Sequence, residues 1–122
     1  MAGKRVLVVD DNQALTRQVK RRLEGDGQSV TTMNSSMDAL AAIDAGERFD
    51  VYVLDVNMQQ GEPHGLALAR MLELRQSTAA VIFITGNLDL AAGDDFVGRT
   101  VLEKPFDFDD LCRAVAELPR QT

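Results

Sequence analysis

Cysteine is almost absent. Cys112 stands alone in 122 residues, so no internal disulfide can form and a reducing compartment is the natural setting. Long apolar runs are absent too. Nothing approaches the ~20 residues that a membrane-spanning helix needs, and the run near the start, Val6-Leu7-Val8-Val9, is too short for a secretory signal. There is no internal repeat, low-complexity tract or linker. Basic charge is in the minority: 13 Lys and Arg face 19 Asp and Glu, for a formal net charge of −6. With a pI near 4.6, nucleic-acid phosphates would meet net repulsion, which argues against direct binding. What is present is 45% hydrophobic and 26% charged. That is the profile of a globular chain long enough to bury a core without disulfides or structural metal. The expectation is a single domain over 1–122, cytoplasmic and without membrane insertion.

A short apolar run followed by an amphipathic segment recurs along the chain. Val6-Leu7-Val8-Val9 ends at Asp10-Asp11, Val51-Tyr52-Val53-Leu54 at Asp55, and Ala80-Val81-Ile82-Phe83-Ile84 at Thr85-Gly86. Continuous runs, unlike alternating ones, indicate strands covered on both faces, as in a parallel sheet. Ser29 to Met33 and Thr100 to Glu103 read as shorter or edge strands. Between them, Leu15, Val19 and Leu23 repeat at helical spacing, closed by Gly25. Ser36 can cap a helix carrying Leu40 and Ile43 that ends near Gly46. Leu68, Ala69 and Leu72 share one face of a helix opening near His64 or Gly65. Asp107 can cap a last helix with Leu111, Val115 and Leu118, stopped by Pro119. The stretch from Leu88 to Gly98 should hold a helix made short or loose by Gly93 and Gly98. The pattern predicts five βα units: an α/β fold with a parallel sheet and helices on both faces.

In such sheets, ligands bind beyond the carboxyl ends of the strands. That rule selects Asp10 and Asp11 after the first strand, Asp55 after the third, Thr85 after the fourth and Lys104 after the fifth. A polar residue at one strand end means little, and Asp10-Asp11 alone would read as a helix start. Three carboxylates, a hydroxyl and a lysine at corresponding ends are a far more specific set. Two unit charges ~4 Å apart cost ~4 kcal/mol at an effective dielectric of about 20. Either one carboxyl stays protonated or a cation binds. Oxygen-only ligands with room for water suit Mg²⁺. A carboxylate beside Mg²⁺, a lysine and a hydroxyl is a site for phosphoryl transfer, with the carboxylate as nucleophile.

The motifs Val-Val-Asp10-Asp11, Val-Leu-Asp55, Ile-Thr85-Gly86 and Lys104-Pro105-Phe106 stand in this order at domain-wide spacing. In them the chain resembles, over nearly its whole length, the receiver (CheY-like) domain of two-component response regulators. The resemblance implies a doubly wound, flavodoxin-like, five-stranded parallel sheet in the order 2-1-3-4-5. It implies that Asp55 is the phosphoacceptor in a phosphorelay, charged by a histidine kinase or histidine phosphotransfer protein. It further implies that Asp10, Asp11, Asp55 and the backbone carbonyl of Asn57 hold Mg²⁺, or Mn²⁺ in its place. Thr85 and Lys104 would contact the phosphoryl group and switch the binding of a downstream protein target. The Lys104-Pro105 bond is expected to be cis. Such a domain is not an enzyme on a separate substrate, although it catalyses its own phosphorylation and dephosphorylation.

Two positions depart from the family pattern. Val101 stands where the family usually carries a Tyr or Phe three residues before the lysine, and it is too short to act as that rotamer switch. After Asp55 the chain reads Val56-Asn57-Met58-Gln59-Gln60-Gly61-Glu62-Pro63-His64-Gly65. Gln59 replaces the usual proline, and the loop is about two residues longer than the family pattern, with turn residues Gly61 and Pro63. Arg17, Lys20, Arg21 and Arg22 read either as a solvated helix face or as a complement to an acidic partner. His64 reads as an exposed loop residue and Cys112 as a small apolar residue of the last helix. Met58 reads as loop cover and Met71 as core. Two other functions compete. One is a haloacid-dehalogenase-like phosphatase, whose nucleophile would normally follow the first strand in an Asp-x-Asp pattern. The other is a degenerate receiver that binds partners without phosphorylation. With no recognisable output segment after Thr122, a stand-alone receiver is expected.

Overall fold

A computed structural model of the chain describes residues 3–57, 64–76, 78–91 and 93–118. Five strands, β1 (Arg5–Val9), β2 (Ser29–Met33), β3 (Val51–Asp55), β4 (Ala80–Thr85) and β5 (Thr100–Glu103), form one sheet in the order β2-β1-β3-β4-β5. Every pairing is parallel. The α-helices are α1 (Gln13–Gly25), α2 (Ser36–Asp44), α3 (Gly65–Arg75) and α4 (Phe108–Glu117). This is the doubly wound, flavodoxin-like arrangement that the motifs imply.

The continuous apolar runs are the central strands, and both of their faces are covered. Side chains alternate across a strand. Leu7, Val9, Tyr52, Leu54 and Phe83 therefore pack with α2 and α3 on one side. Val6, Val8, Val51, Val53, Ile82 and Ile84 pack with α1 and α4 on the other. The helix faces agree with the sequence pattern: Val19 and Leu23 of α1, Leu68, Ala69 and Leu72 of α3, and Leu111 and Val115 of α4 are all buried. Met71 packs against the first of these layers and Cys112 against the second. One polar knot is sealed inside. The Tyr52 hydroxyl donates to Gln76 Oε1 at 2.5 Å, and Gln76 Nε2 donates to the Phe49 carbonyl at 2.7 Å. Burial pushes the Tyr52 phenol up to about 12, so it remains a donor and leaves none of these groups unpaired.

The connection from β4 to β5 corrects the expectation of five βα units. Two 3-10 turns, Leu88–Ala91 and Asp94–Phe96, stand where a fourth α-helix would. Gly93 is extended, with φ −81° and ψ 169°, and interrupts the helical path between them. The caps also differ in detail. Asn12, rather than either aspartate before it, caps α1 by accepting from the Leu15 amide. Ser35, in extended backbone, caps α2, and Ser36 is the first helical residue and is buried. Helix α1 runs through Gly25, and the chain turns at Gly27, whose φ of +94° suits glycine. His64 is exposed as expected and caps α3 by accepting from the Ala67 amide, while Asp107 caps α4. The longer loop at residues 58–63, with Met58, Gln59, Gly61 and Pro63, and the helix stop at Pro119 lie outside the described residues.

Gly65 begins α3 directly against the end of β3. A Cβ there would sit 2.3 Å from the Asp55 carbonyl oxygen and 2.7 Å from Val56 Cα. Both are backbone atoms with little freedom to yield. Gly65→Ala is expected to lower stability by about 1–3 kcal/mol, read as a fall in the urea midpoint with an unchanged slope.

Candidate functional site

The parallel register brings the ends of the strands level. Val9 lies beside Leu54, Asp55 beside Ile84, and Thr85 beside Glu103. The residues that follow, or close, these strands therefore meet at one edge of the sheet. Asp10 is fully buried there, and Asp55 is only 4% exposed, while Asp11 stands exposed at the mouth. Oxygens of Asp10, Asp11 and Asp55 all lie within 4.8 Å of one another.

Each carboxylate is held from its own loop. Asp10 Oδ1 accepts from the Asn12 amide at 2.9 Å, and Asp55 Oδ1 accepts from the Asn57 amide at 3.1 Å. The other oxygens point at Lys104, whose Nζ lies 2.7 Å from Asp10 Oδ2 and 3.4 Å from Asp55 Oδ2. The Lys104-Pro105 peptide is cis, and the Lys104 amide donates to the Thr85 carbonyl at 2.7 Å. Thr85 is fully buried, yet its hydroxyl faces its own loop. It donates to the Asn87 carbonyl at 2.9 Å and accepts from the Asn87 amide at 3.0 Å. The fold thus unites Asp10, Asp11, Asp55 and Lys104 directly, with Thr85 adjoining through backbone.

The electrostatics follow from burial. Loss of water raises Asp55 from its ordinary value to about 6, and repulsion from Asp10 adds to that; Lys104 and the Asn57 amide work the other way. Asp11 is raised as well, first by partial loss of water and then by Asp10. Burial disfavours the Lys104 ammonium, but hydrogen bonding and attraction from Asp10 and Asp55 outweigh it and hold its pKa above the usual lysine value. One ammonium therefore faces three acids. The donors are all oxygens, as a hard divalent cation requires.

Among the other candidates, Val101 is half-buried against the α2–α3 side of the sheet. The basic group on α1 divides. Lys20 pairs with Glu24 at 3.3 Å and donates to the Val30 carbonyl, and Arg22 pairs with Asp109 of α4. Arg17 and Arg21 stay exposed. The Cys112 thiol is raised, first by burial and then by the nearby Asp26 carboxylate. Sequence reasoning missed Asn34, whose Nδ2 donates to the Asp10 carbonyl at 2.8 Å. The available signal was an amide side chain just past β2, level with the acidic pair.

The family model described as "Response regulator receiver domain" matches residues 6–116. The transcriptional regulatory protein TcrA of Mycobacterium tuberculosis is 31% identical over 124 residues, covering 99% of this chain and 48% of that protein. The response regulator MprA of Mycobacterium avium is 32% identical over 121 residues, covering 97% and 52%. The chain spans about half the length of these relatives. Among solved structures, the response regulator TrrA of Thermotoga maritima in complex with Mg²⁺-BeF superposes with a TM-score of 0.83 at 27% identity, covering 95% of this chain and 99% of that one. A CheY-like receiver domain from Methylobacillus flagellatus gives 0.83 at 25% identity, covering 97% and 100%. The match favours the receiver over the phosphatase alternative, and with the fold and the acidic edge of the sheet it establishes that the chain belongs to the response regulator receiver domain family.

Proposed function

We propose that Asp55 accepts a phosphoryl group from a histidine kinase or histidine phosphotransfer protein, with Mg²⁺ as cofactor, and that this changes the binding of a downstream protein. The observation that carries the reading is Lys104 reaching both Asp10 and Asp55 beside a third carboxylate within 4.8 Å. Such a site is short of positive charge by itself. Asp10, Asp11, Asp55 and the backbone carbonyl of Asn57 would hold Mg²⁺, or Mn²⁺ in its place. Bound there, the ion supplies positive charge beside the phosphoryl oxygens. The Mg²⁺-BeF complex of the related TrrA supports the same chemistry.

The residues divide the work. An Asp55 carboxylate oxygen attacks phosphorus, and the donor imidazole leaves with the electron pair of the broken P–N bond and takes up a proton. The product is an acyl phosphate on Asp55. Lys104, already 3.4 Å from Asp55 Oδ2, pairs with a phosphoryl oxygen. The Thr85 hydroxyl would leave the Asn87 carbonyl to donate to another. The exposed Arg17 on the second turn of α1, with Arg21 one turn further along, offers an acidic partner a charged helix face that starts at the site.

Acetyl phosphate with Mg²⁺ should add one phosphoryl group to the wild type and none to Asp55→Asn by intact mass. Equal labelling of the Asn variant would overturn the assignment. Mg²⁺ at a hundredfold its dissociation constant should stabilise the protein by about 2.7 kcal/mol. Thermal unfolding should show most of that gain lost in Asp10→Asn and Asp11→Asn.

The pH dependence of the metal-free protein follows from Asp55. Its folded pKa of about 6 lies above the ordinary 3.8. Between these values the folded state binds the extra proton, so the charged carboxylate costs stability above pH 6 and the cost fades as pH falls towards 4. In chelator, Asp55→Asn should therefore be more stable than wild type by up to about 3 kcal/mol at about pH 8, with the gap closing near pH 4. Urea unfolding across that range checks it.

A further inference from the structure

Between the two 3-10 turns and the start of α3 lies a cleft of about 550 Å³ beside the acidic edge of the sheet. Its floor is apolar, made by Val56, Leu66 and Phe96. Phe96 is fixed edge-on against Phe83, with ring centres 5.1 Å apart. Its rim carries Asp89 and Asp95, with no Lys or Arg among the described lining residues. Asp95 pairs with Arg70 at 2.8 Å in an exposed bridge, which contributes little and is readily exchanged. Neither Asp89 nor its neighbour Asp94 has an ion pair among the described residues. Leu88 and Val97, on the same connection, are exposed at 46% and 79%. An apolar floor and a carboxylate rim complement a surface of apolar side chains flanked by cations.

We propose that this cleft docks a basic, apolar-faced peptide segment of a protein partner. Leucine- or phenylalanine-type side chains would cover Val56, Leu66 and Phe96, and lysine or arginine would meet Asp89 and Asp95. Because Val56 and Asn57, which directly follow Asp55, line the cleft, a bound segment would lie close to the proposed phosphoacceptor. The docking itself does not require a phosphoryl group.

A random dodecapeptide library selected on the unmodified full chain, in chelator, tests this without involving phosphorylation. Failure here leaves the role of Asp55 untouched, and the reverse also holds. Enriched sequences should combine Lys or Arg with Leu, Ile or Phe. Their affinity should fall about tenfold for Asp89→Lys and hold for Glu117→Lys. The second variant changes net charge equally but lies on α4, at the opposite face of the sheet. Both positions are exposed, and circular dichroism confirms that the variants fold. Enrichment of sequences without basic residues, an unchanged affinity for Asp89→Lys, or an equal loss in both variants would overturn the proposal.

Discussion

Lys104 holds together two carboxylates that would otherwise drive the strand ends apart. Asp10 is buried without solvent to screen it, and Asp55 is nearly so. At separations of a few ångströms their repulsion rivals the contribution of a whole buried side chain. A single ammonium, 2.7 Å from one and 3.4 Å from the other, offsets part of this and leaves the site in deficit. That deficit is what a bound cation would relieve. A fully balanced cluster would be structurally sound and chemically inert.

The rest of the fold supplies the positions. None of the three residues could reach the others by local structure, since Asp10 and Lys104 lie 94 residues apart. Parallel pairing makes them neighbours, because each crossover returns the chain to start its next strand at the same edge. The backbone then aims the side chains. The Asn12 and Asn57 amides each fix one oxygen of the aspartate two residues earlier, Asp10 and Asp55, so the remaining oxygens face Lys104. Gly65 lets α3 start flush against the carbonyl of Asp55, so the helix behind the site is in register with the acid in front of it.

Much of this was readable from residue order alone. Unbroken runs such as Val6 to Val9 and Val51 to Leu54 announce strands covered twice, and an acid or hydroxyl closing three of them announces a shared edge. What stayed illegible depended on backbone angles or on partners remote in sequence. Ser35 and Ser36 are chemically equivalent as caps, and only the extended backbone at residue 35 decides between them. The two glycines after Leu88 signalled a weak helix, but not that Gly93 would divide the segment into two 3-10 turns. Asn34 went unrecognised as a support for the Asp10 peptide because, although the expected strand order sets β2 beside β1, the reach of its side chain to that carbonyl depends on the backbone just past β2.

The altered β4–β5 connection and Val101 belong to one structural solution. A β-branched residue has few rotamers, and Val101 packs into the layer shared with α3, so position 101 is fixed. The connection beside it is tied to α3 by Arg99 gripping Glu73 through two bonds of 3.0 Å, while the exposed Arg70–Asp95 pair adds little. The first pair is the better shielded and bidentate, hence the stronger. Arg99 also lies 5.5 Å from the centre of the Phe83 ring, which anchors the connection to β4. Arg99 thus fastens the connection to both α3 and β4, and α3 itself begins against the peptide of Asp55. The Gly65 amide donates to the Val56 carbonyl at 3.0 Å, so the helix to which Arg99 ties the connection is itself in direct backbone contact with the residues that close β3.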